Sequence, residues 1–574
     1  MTVTAEEPTG RDVLRRAIWG QRRWVSLSAL GATGHQGGEA LVPVIVGVVI
    51  DRAVTTGATG TLLTWLGVLA AVFVGLSFGF RFSARASERA SEYAALDLRT
   101  ALTARILDAR GGADNGRLAG ELTNIATADV ARVGAVNLAI PAGVAGVVGL
   151  TVSAVALLNI SIVLGLLVLL GTPPLLWVSH QLGKPLERRS EEQQERAALA
   201  SGIATDLVTG LRVLKGVGAE ATAVARYRAT SRDSLAATLR AARAEAWYAG
   251  TVLAINGAFL AVVALVAGRL TADGDISIGG LVTAVGLAQY LLSPLSFLTW
   301  VNSEFAMGRA SATRVAAVLA SPPAVVGGEG VLPVRPPGRL RMRGVAHENL
   351  RAVDLDVAPG ELLGVVATDP AAATALLACL ARDLDPESGT VEIDGVPLTE
   401  LAPDHIRRAV LVAAHDADLF EGTLAENVAA GATSAAGATA PTGDTLAPAL
   451  AAAGADEVAR ALPEGVDAHI SERGRSLSGG QRQRVALARA LAADAPVLVL
   501  HDPTTAVDTV TEARVAASLR DIRRGRTTVL VATSPALLAV TDRVVVVDGG
   551  TVTAQGTHSD LLGGDSVYRA AVLS

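Results

Sequence analysis

The stretch that decides the fold runs from Leu477 to Leu491 and reads LSGGQRQRVALARAL. Ser478, Gly479 and Gly480 form a turn, and apolar residues at helical spacing follow it, so the turn opens an amphipathic helix. Such a turn offers backbone N–H groups and the positive end of a helix to an anion. Gly479 and Gly480 allow a phosphate to come close because they carry no Cβ. An arbitrary glycine turn is the plainer reading. It leaves unexplained the hydrophobic run that follows and the PTTAVD segment, Pro503 to Asp508.

Outward from this turn the texture is that of a soluble α/β domain over residues 336–574. LLGVVA, AVLVAA, PVLVLH, TTVLVAT and RVVVVDGG are short apolar runs suited to buried parallel strands, with helical stretches between them. The Ala/Gly/Thr-rich run AAGATSAAGATAPTGDT is expected to be a loop without function. A Pro/Gly-rich linker, 319–335, separates this domain from residues 1–318.

Residues 1–318 read as membrane. Half of the 574 residues are hydrophobic and 18% are charged, which excludes a disordered chain or one that coats nucleic acid. The net charge of −6 gives no basic field for nucleic acid, and none is expected as a partner. The single cysteine, Cys379, excludes a disulfide framework and a Cys-based metal cluster. Between Arg132 and Lys184 lie 51 residues without a charge. As helix they would reach about 77 Å, far beyond one ~30 Å hydrocarbon core, so they hold two spans with a turn near Asn159–Ser161. Trp24–Ile50, Thr61–Phe80, Ala246–Gly268 and Ile276–Ser303 bring the total to six. Arg11, Arg15, Arg16, Arg22 and Arg23 place the N-terminus in the cytoplasm, and six spans return the C-terminal half there. The two long cytoplasmic loops, roughly Arg81–Arg132 and Lys184–Glu245, read as charged helical extensions of the spans. No cleavable signal peptide is expected.

With the signature turn, the PTTAVD segment and six spans, the chain resembles the ATP-binding cassette (ABC) family, and specifically exporter-type half-transporters. GRLAGELTNIATADV, GLRVLKGVGAE, Ser471–Gly474 and DRVVVVDGGTVTAQGTH strengthen the resemblance, which covers essentially the whole chain. It implies an all-α transmembrane domain of six helices followed by an α/β, P-loop-like nucleotide-binding domain. It also implies ATP and magnesium as cofactors, and a location in a bacterial inner membrane.

The resemblance breaks at the nucleotide. A working phosphate loop reads G-x-x-x-x-G-K-[ST] and uses its lysine on the β/γ phosphates. Residues 367–374 here read ATDPAAAT. Ala373 stands at the lysine position, Ala367 and Ala372 stand at glycine positions, Pro370 removes an amide, and only the Thr374 hydroxyl survives. The chain's two lysines are Lys184 and Lys215, so no shift of alignment recovers one. By the resemblance, His501 replaces the magnesium-associated aspartate and Asp502 the water-polarising glutamate. Likewise His415 replaces a glutamine, Thr533 the switch histidine, and His347 the aromatic that stacks on adenine. These departures imply that the chain's own site no longer hydrolyses ATP. A metal cluster of His415, His501 and Asp502 is the alternative. No H-x-x-x-H spacing supports it, and no metal site is expected.

In this family each ATP lies between one phosphate loop and the other cassette's signature. Ser478, Gly479, Gly480 and Gln481, with Asp508, are therefore expected to serve a partner's ATP. The expected partner is a second ABC half-transporter with an intact phosphate loop, which binds most of the ATP and magnesium. The expected substrate is small, lipid or peptide, beside membrane lipid. The alternatives are a non-transporting regulatory homodimer that binds nucleotide weakly, and a scramblase-like channel. Within the first span, Glu39 lies midway between Arg23 and Asp51, with His35 one turn before it. A cavity role in substrate or proton handling and a structural contact between helices are both open for this pair. Pro294 is expected to be a packing kink.

Overall fold

The computed structural model describes residues 8–573 apart from 56, 334–335, 416–417 and 433–442. Most of the expected Ala/Gly/Thr-rich loop, and the last two residues of the expected linker, lie outside the described residues. Contacts group the chain into two units. One comprises Met1–Thr103 and Ala119–Ala320, the other Ala104–Leu118 and Ser321–Ser574.

The first unit is all helix. Thr59–Ile106, Ile162–Thr209 and Glu220–Ala272 run for 48, 48 and 53 residues. At 1.5 Å per residue these are about 70–80 Å long, so each carries an apolar span and a charged extension in one rod. Val130–Ile160 and Ile162–Thr209 meet at Ser161, which is extended, where the charge-free run was expected to turn. Five described helices are long and apolar enough to cross a membrane, against the six spans expected. The remaining helix, Arg22–Val49, has the length at 28 residues, but His35, Gln36 and Glu39 fall in its middle. Ile278–Tyr290 and Leu292–Leu319 are separated by a break at Leu291. Pro294 has no N–H to give the Tyr290 carbonyl, so the helical ladder is interrupted there.

Small residues set the closest approaches in this unit. A Cβ on Gly47 would collide with Thr283 Oγ1 and the Gly279 carbonyl, and one on Gly279 with the Gly47 carbonyl and Asp51. Asp51 fixes the same joint. It accepts hydrogen bonds from Ser277 Oγ (2.5 Å) and the Gly279 amide (2.8 Å) at the start of Ile278–Tyr290. Elsewhere Asp129, with a nearly buried side chain, accepts from Ser311 Oγ (2.9 Å) and Arg314 Nε (2.8 Å).

The second unit holds a six-stranded sheet. Its order is Thr551–Gly556, Arg543–Asp548, Leu362–Ala367, Thr527–Val531, Val497–His501, Val410–Ala413. All neighbours are parallel except the first pair. Alternate residues serve opposite faces. Leu363, Val365, Val497, Val499 and Val529 pack with helix Pro370–Ala381, whereas Leu362, Leu498, Leu500 and Leu530 pack with Gly479–Ala492 and Thr509–Ile522. A four-stranded antiparallel sheet, Leu350–Val357, Leu340–His347, Ser388–Ile393, Val396–Pro397, joins the first face. Cys379 is buried there, and burial pushes its thiol up to about 11.

The Gly47–Gly279 joint yields a test by paired substitutions. Gly279→Ala should lower the thermal midpoint of the detergent-solubilised chain, because overpacking costs about 1–3 kcal/mol. Gly257→Ala, where a Cβ meets nothing within 4 Å, should leave the midpoint level or raise it, since Ala favours helix. Equal responses would show that the close approach is not limiting.

Candidate functional site

A doubly wound sheet gathers its chemistry outside the carboxyl ends of its parallel strands. Here Leu362–Ala367, Thr527–Val531, Val497–His501 and Val410–Ala413 end together, and the expected nucleotide residues follow them. After Ala367 only Thr368 and Asp369 intervene before helix Pro370–Ala381 begins. Asp369 caps that helix: its Oδ1 accepts from the Ala371 amide (2.9 Å). Its Oδ2 accepts from Asn349 Nδ2 (2.6 Å), in the hairpin that follows His347. These bonds, the Asn349 amide first and the Ala371 amide second, hold the Asp369 carboxyl below the usual carboxylate value. Thr368 is tied down as well, donating to Asp548 Oδ1 (2.6 Å). A carboxylate thus lies where a helix N-terminus attracts an anion.

The rest of the loop turns inward. Ala372 and Ala373 are 2% and 5% exposed and belong to the core, so the position read as lysine is a packing position. The Thr374 hydroxyl donates to the Pro370 carbonyl (3.0 Å). Thr374 also lines a cleft of about 1980 Å³ together with His415 and His501. The two imidazoles meet edge to face with centroids 5.1 Å apart, and His501 Nε2 lies 3.7 Å from Asp502 Oδ2. Among the described residues no three His, Cys, Asp or Glu side chains form a group able to hold a metal ion. His347 ends its strand with Nδ1 buried, 3.6 Å from Glu387 Oε1 and without a hydrogen bond among the described residues. Thr533 is exposed just past Thr527–Val531.

The signature turn is a separate construction. Ser478 is the N-cap of Gly479–Ala492, and a reciprocal capping box closes it. Ser478 Oγ accepts from the Gln481 amide (3.3 Å), and Gln481 Oε1 accepts from the Ser478 amide (2.8 Å). Gln481, expected to face phosphate, therefore spends its carbonyl on the cap. Ser478 stays exposed, and its accepting hydroxyl keeps a hydrogen to donate. Gly480 is required by packing, because a Cβ there would lie 2.5 Å from the Ala506 carbonyl oxygen. Gly479 meets only Ala506 Cβ, at 3.4 Å. Asp508 caps the next helix through the Thr511 amide (2.9 Å), a bond that lowers its pKa.

Three side chains across these two constructions escaped the sequence reading. Gln483 bridges the turn to the following segment, donating to Thr505 Oγ1 (2.7 Å) and accepting from the Ala506 amide (2.8 Å). Glu512 accepts from Thr504 Oγ1 (2.6 Å), and Asn349 holds Asp369. Gln483 lies three residues after Gly480 on one helix face, a spacing that could have signalled it. No local pattern marks Asn349, which is twenty residues from its partner in sequence.

In the membrane unit, His35 and Glu39 come together on the wall of a pocket of about 590 Å³. His35 Nδ1 is 2.9 Å from the Leu76 carbonyl, and its Nε2 is 4.0 Å from Glu39 Oε2. Gln36 Nε2 donates to Glu39 Oε2 (3.2 Å) and to the Tyr290 hydroxyl (2.7 Å).

The Asp369 cap sets a pH dependence. Its folded pKa is depressed, so its contribution to stability is present above the unfolded value and is lost as pH falls through the folded one. Thermal midpoints of wild type and Asp369→Asn should differ by a constant amount above about pH 5 and draw together only as the pH falls below the unfolded value of about 4. A difference that stays constant down to the lowest pH at which the chain remains folded would show that the charge plays no part in the cap.

Comparisons with known proteins place these features. Residues 25–295 match the ABC transporter transmembrane region and residues 350–505 the ABC transporter cassette. An ATP-dependent lipid A-core flippase of Burkholderia thailandensis is 28% identical over 99% of this chain and 96% of its own length. A protein of the same description from Thiobacillus denitrificans is 31% identical over 71% of this chain and 70% of its own. A multidrug efflux ATP-binding/permease protein of Mycobacterium tuberculosis is 30% identical over 91% of this chain, which spans 44% of that protein's length. In fold, the chain matches the structure of a bacterial Atm1-family ABC exporter with ATP bound. The TM-score is 0.75 at 23% identity, over 97% of this chain and 99% of the other. The matched cassette belongs to the ATP- and magnesium-using ABC type, and the apolar helices make the chain a multi-pass membrane protein. A membrane unit of long helices, a cassette behind it and relatives matched along both together establish that the chain belongs to the ABC transporter family, as an exporter-type half-transporter.

Proposed function

We propose that this chain is the catalytically degenerate subunit of a heterodimeric ABC exporter in a bacterial inner membrane. Its proposed parts are a membrane domain, 1–318, a linker, 319–335, and a nucleotide-binding domain, 336–574. N-terminus and cassette face the cytoplasm. One observation carries the reading: Asp369 puts a carboxylate on the helix N-terminus after the phosphate strand, while the Ser478 turn on the same cassette is fully built. A magnesium triphosphate at this chain's own loop would meet that carboxylate, the amide-free Pro370 and a buried Ala373, with His501 at the magnesium-associated position. These residues do not suit it.

The Ser478 turn suits an anion. Its exposed hydroxyl, the Gly479 and Gly480 amides and the helix dipole are donors fixed before the reaction, the arrangement that stabilises developing charge. ATP with its magnesium, held mainly by the partner's intact loop, supplies the free energy of phosphoanhydride hydrolysis. Ser478 and Gly479 then grip phosphate, Gly480 lets Gln483 hold the Ala506 segment against the turn, and Asp508 lies where the two cassettes would meet. The long helical extensions carry cassette closure to the spans. The relatives' descriptions as flippases and as a multidrug efflux protein support a lipid or small amphipathic substrate here. His35 and Glu39 are the proposed cavity residues.

A second reading has support from the alignment over 96% of a flippase's length: the chain pairs with itself. Such a homodimer holds two good turns and no lysine loop, and would regulate or bind nucleotide weakly without transporting. The mass of the complex isolated from its native membrane separates the two readings.

In the heterodimer, Gly479→Asp should nearly abolish ATP turnover. Losing one preoriented donor costs about 10²–10³ in rate, and a carboxylate against phosphate is worse. The matching change in the partner's turn should cost far less, and equal sensitivity of both turns would overturn the assignment. The chain purified alone should release no phosphate above background.

Ala373→Lys should not create a second working site, because the new side chain starts from a core position and Asp369 and Pro370 remain. Doubled turnover in the heterodimer would show that the loss rests on one residue.

A further inference from the structure

We infer that the pocket beside His35 and Glu39 binds an organic cation with an aromatic or apolar body, and that protonation of His35 expels it. This rests on the proposal that the pocket is part of the substrate cavity.

Glu39 is a carboxylate in mid-span, where an ionised group is costly unless it is paired. Its neighbours leave it incompletely paired. Gln36 gives it one neutral hydrogen bond and has its other amide hydrogen on Tyr290. Among the described residues no Arg or Lys forms an ion pair with it, and its one ionisable neighbour within 4.0 Å is His35. The Leu76 carbonyl can only accept, so it fixes the His35 proton on Nδ1. In the neutral imidazole Nε2 is then bare and offers the carboxylate nothing. Only the doubly protonated ring presents an N–H there.

The remaining wall suits a cation with a large apolar body. Phe73, Phe80 and Tyr290 line the same pocket, and ring faces attract cations while burying apolar surface. The Glu39 side chain is 45% exposed, so a ligand can reach it. The other charged group on the wall is Arg81, on Thr59–Ile106. Gly79 of that helix packs against His35, so Arg81 lies near its level, but among the described residues Arg81 makes no ion pair with Glu39 and leaves that carboxylate unmatched. The third helix on the wall, Ile278–Tyr290, brings Gly286, Gln289 and Tyr290, of which only Tyr290 is titratable, and Val130–Ile160, packed behind Arg22–Val49, has no ionisable side chain after Arg132. The charged and titratable groups facing the pocket are His35, Glu39, Arg81 and Tyr290. A bound cation replaces the missing partner of Glu39, whereas a protonated His35 supplies that partner from within and competes with it.

Tetraphenylphosphonium and tetraphenylborate, alike in shape and opposite in charge, make the test with the full-length chain in detergent at pH 8 and pH 5.5. Wild type should bind the phosphonium at pH 8 and lose about tenfold or more of that affinity at pH 5.5. Glu39→Gln should weaken phosphonium binding at pH 8 by a similar factor and, by removing a repulsion, leave tetraphenylborate bound at least as tightly as before. His35→Gln, whose amide can still donate to the Leu76 carbonyl, should keep most of the phosphonium affinity at pH 5.5. Preference for tetraphenylborate, or indifference of phosphonium binding to Glu39→Gln, overturns the cation assignment. If Phe80→Ala still weakens both ions in that case, the cavity reading stands. If neither ion responds to Glu39→Gln or to Phe80→Ala, the cavity reading falls as well.

Discussion

The first turn of an α-helix carries unpaired amides and a partial positive charge, and an anion or an acceptor must meet them. At Pro370–Ala381 the chain meets this demand from within, through Asp369. The neighbouring structure follows from that choice. With the cap supplied by the residue just before the helix, the connection from Ala367 needs only two residues. Proline becomes acceptable at the first helical position, where its missing N–H costs nothing. Ala372 and Ala373 can then turn into the core. Through its second oxygen Asp369 also holds Asn349, so one carboxylate joins the His347 hairpin to the helix that begins beneath it.

Gly479–Ala492 answers the same demand differently. Its capping box satisfies the first turn with Ser478 and Gln481, both neutral, and leaves the hydroxyl exposed. The positive end of this helix is therefore still open to an outside anion, whereas that of Pro370–Ala381 faces its own carboxylate. One cassette thus carries two helix N-termini of opposite character, and the proposed division of labour between two subunits follows from that contrast. Gly480 and Gln483 add precision, because the missing Cβ lets the Ala506 segment close against the turn and the amide side chain fastens it.

In the membrane unit the governing constraint is the cost of charge and of unpaired polar groups in hydrocarbon. Arg22–Val49 holds the polar cluster that lowers its hydropathy, and it is also the helix packed most intimately through glycine. The Gly47–Gly279 joint brings Ile278–Tyr290 close enough for Tyr290 to reach Gln36 on the same helix as Glu39. Tight packing and the polar pocket are in this sense one feature, since the small residues bring the polar side chains within hydrogen-bonding reach.

The sequence by itself determined the two-part architecture, the charge-free spans with their turn at Ser161, the parallel strands, and the Ser478 turn with its helix. Each of these is written in local periodicity or in a contiguous motif. It also determined that no lysine stands in the cassette, because composition alone decides that. It did not reveal that Ala373 is a core residue, that Asn349 reaches Asp369, or that Gln481 is spent on a cap. Only the tertiary structure decided where the His35 proton lies, because the Leu76 carbonyl that fixes it belongs to another helix. Hydrogen-bond partners and burial depend on which strands and helices become neighbours in space, and that information is spread over the whole chain rather than held in any one segment of it.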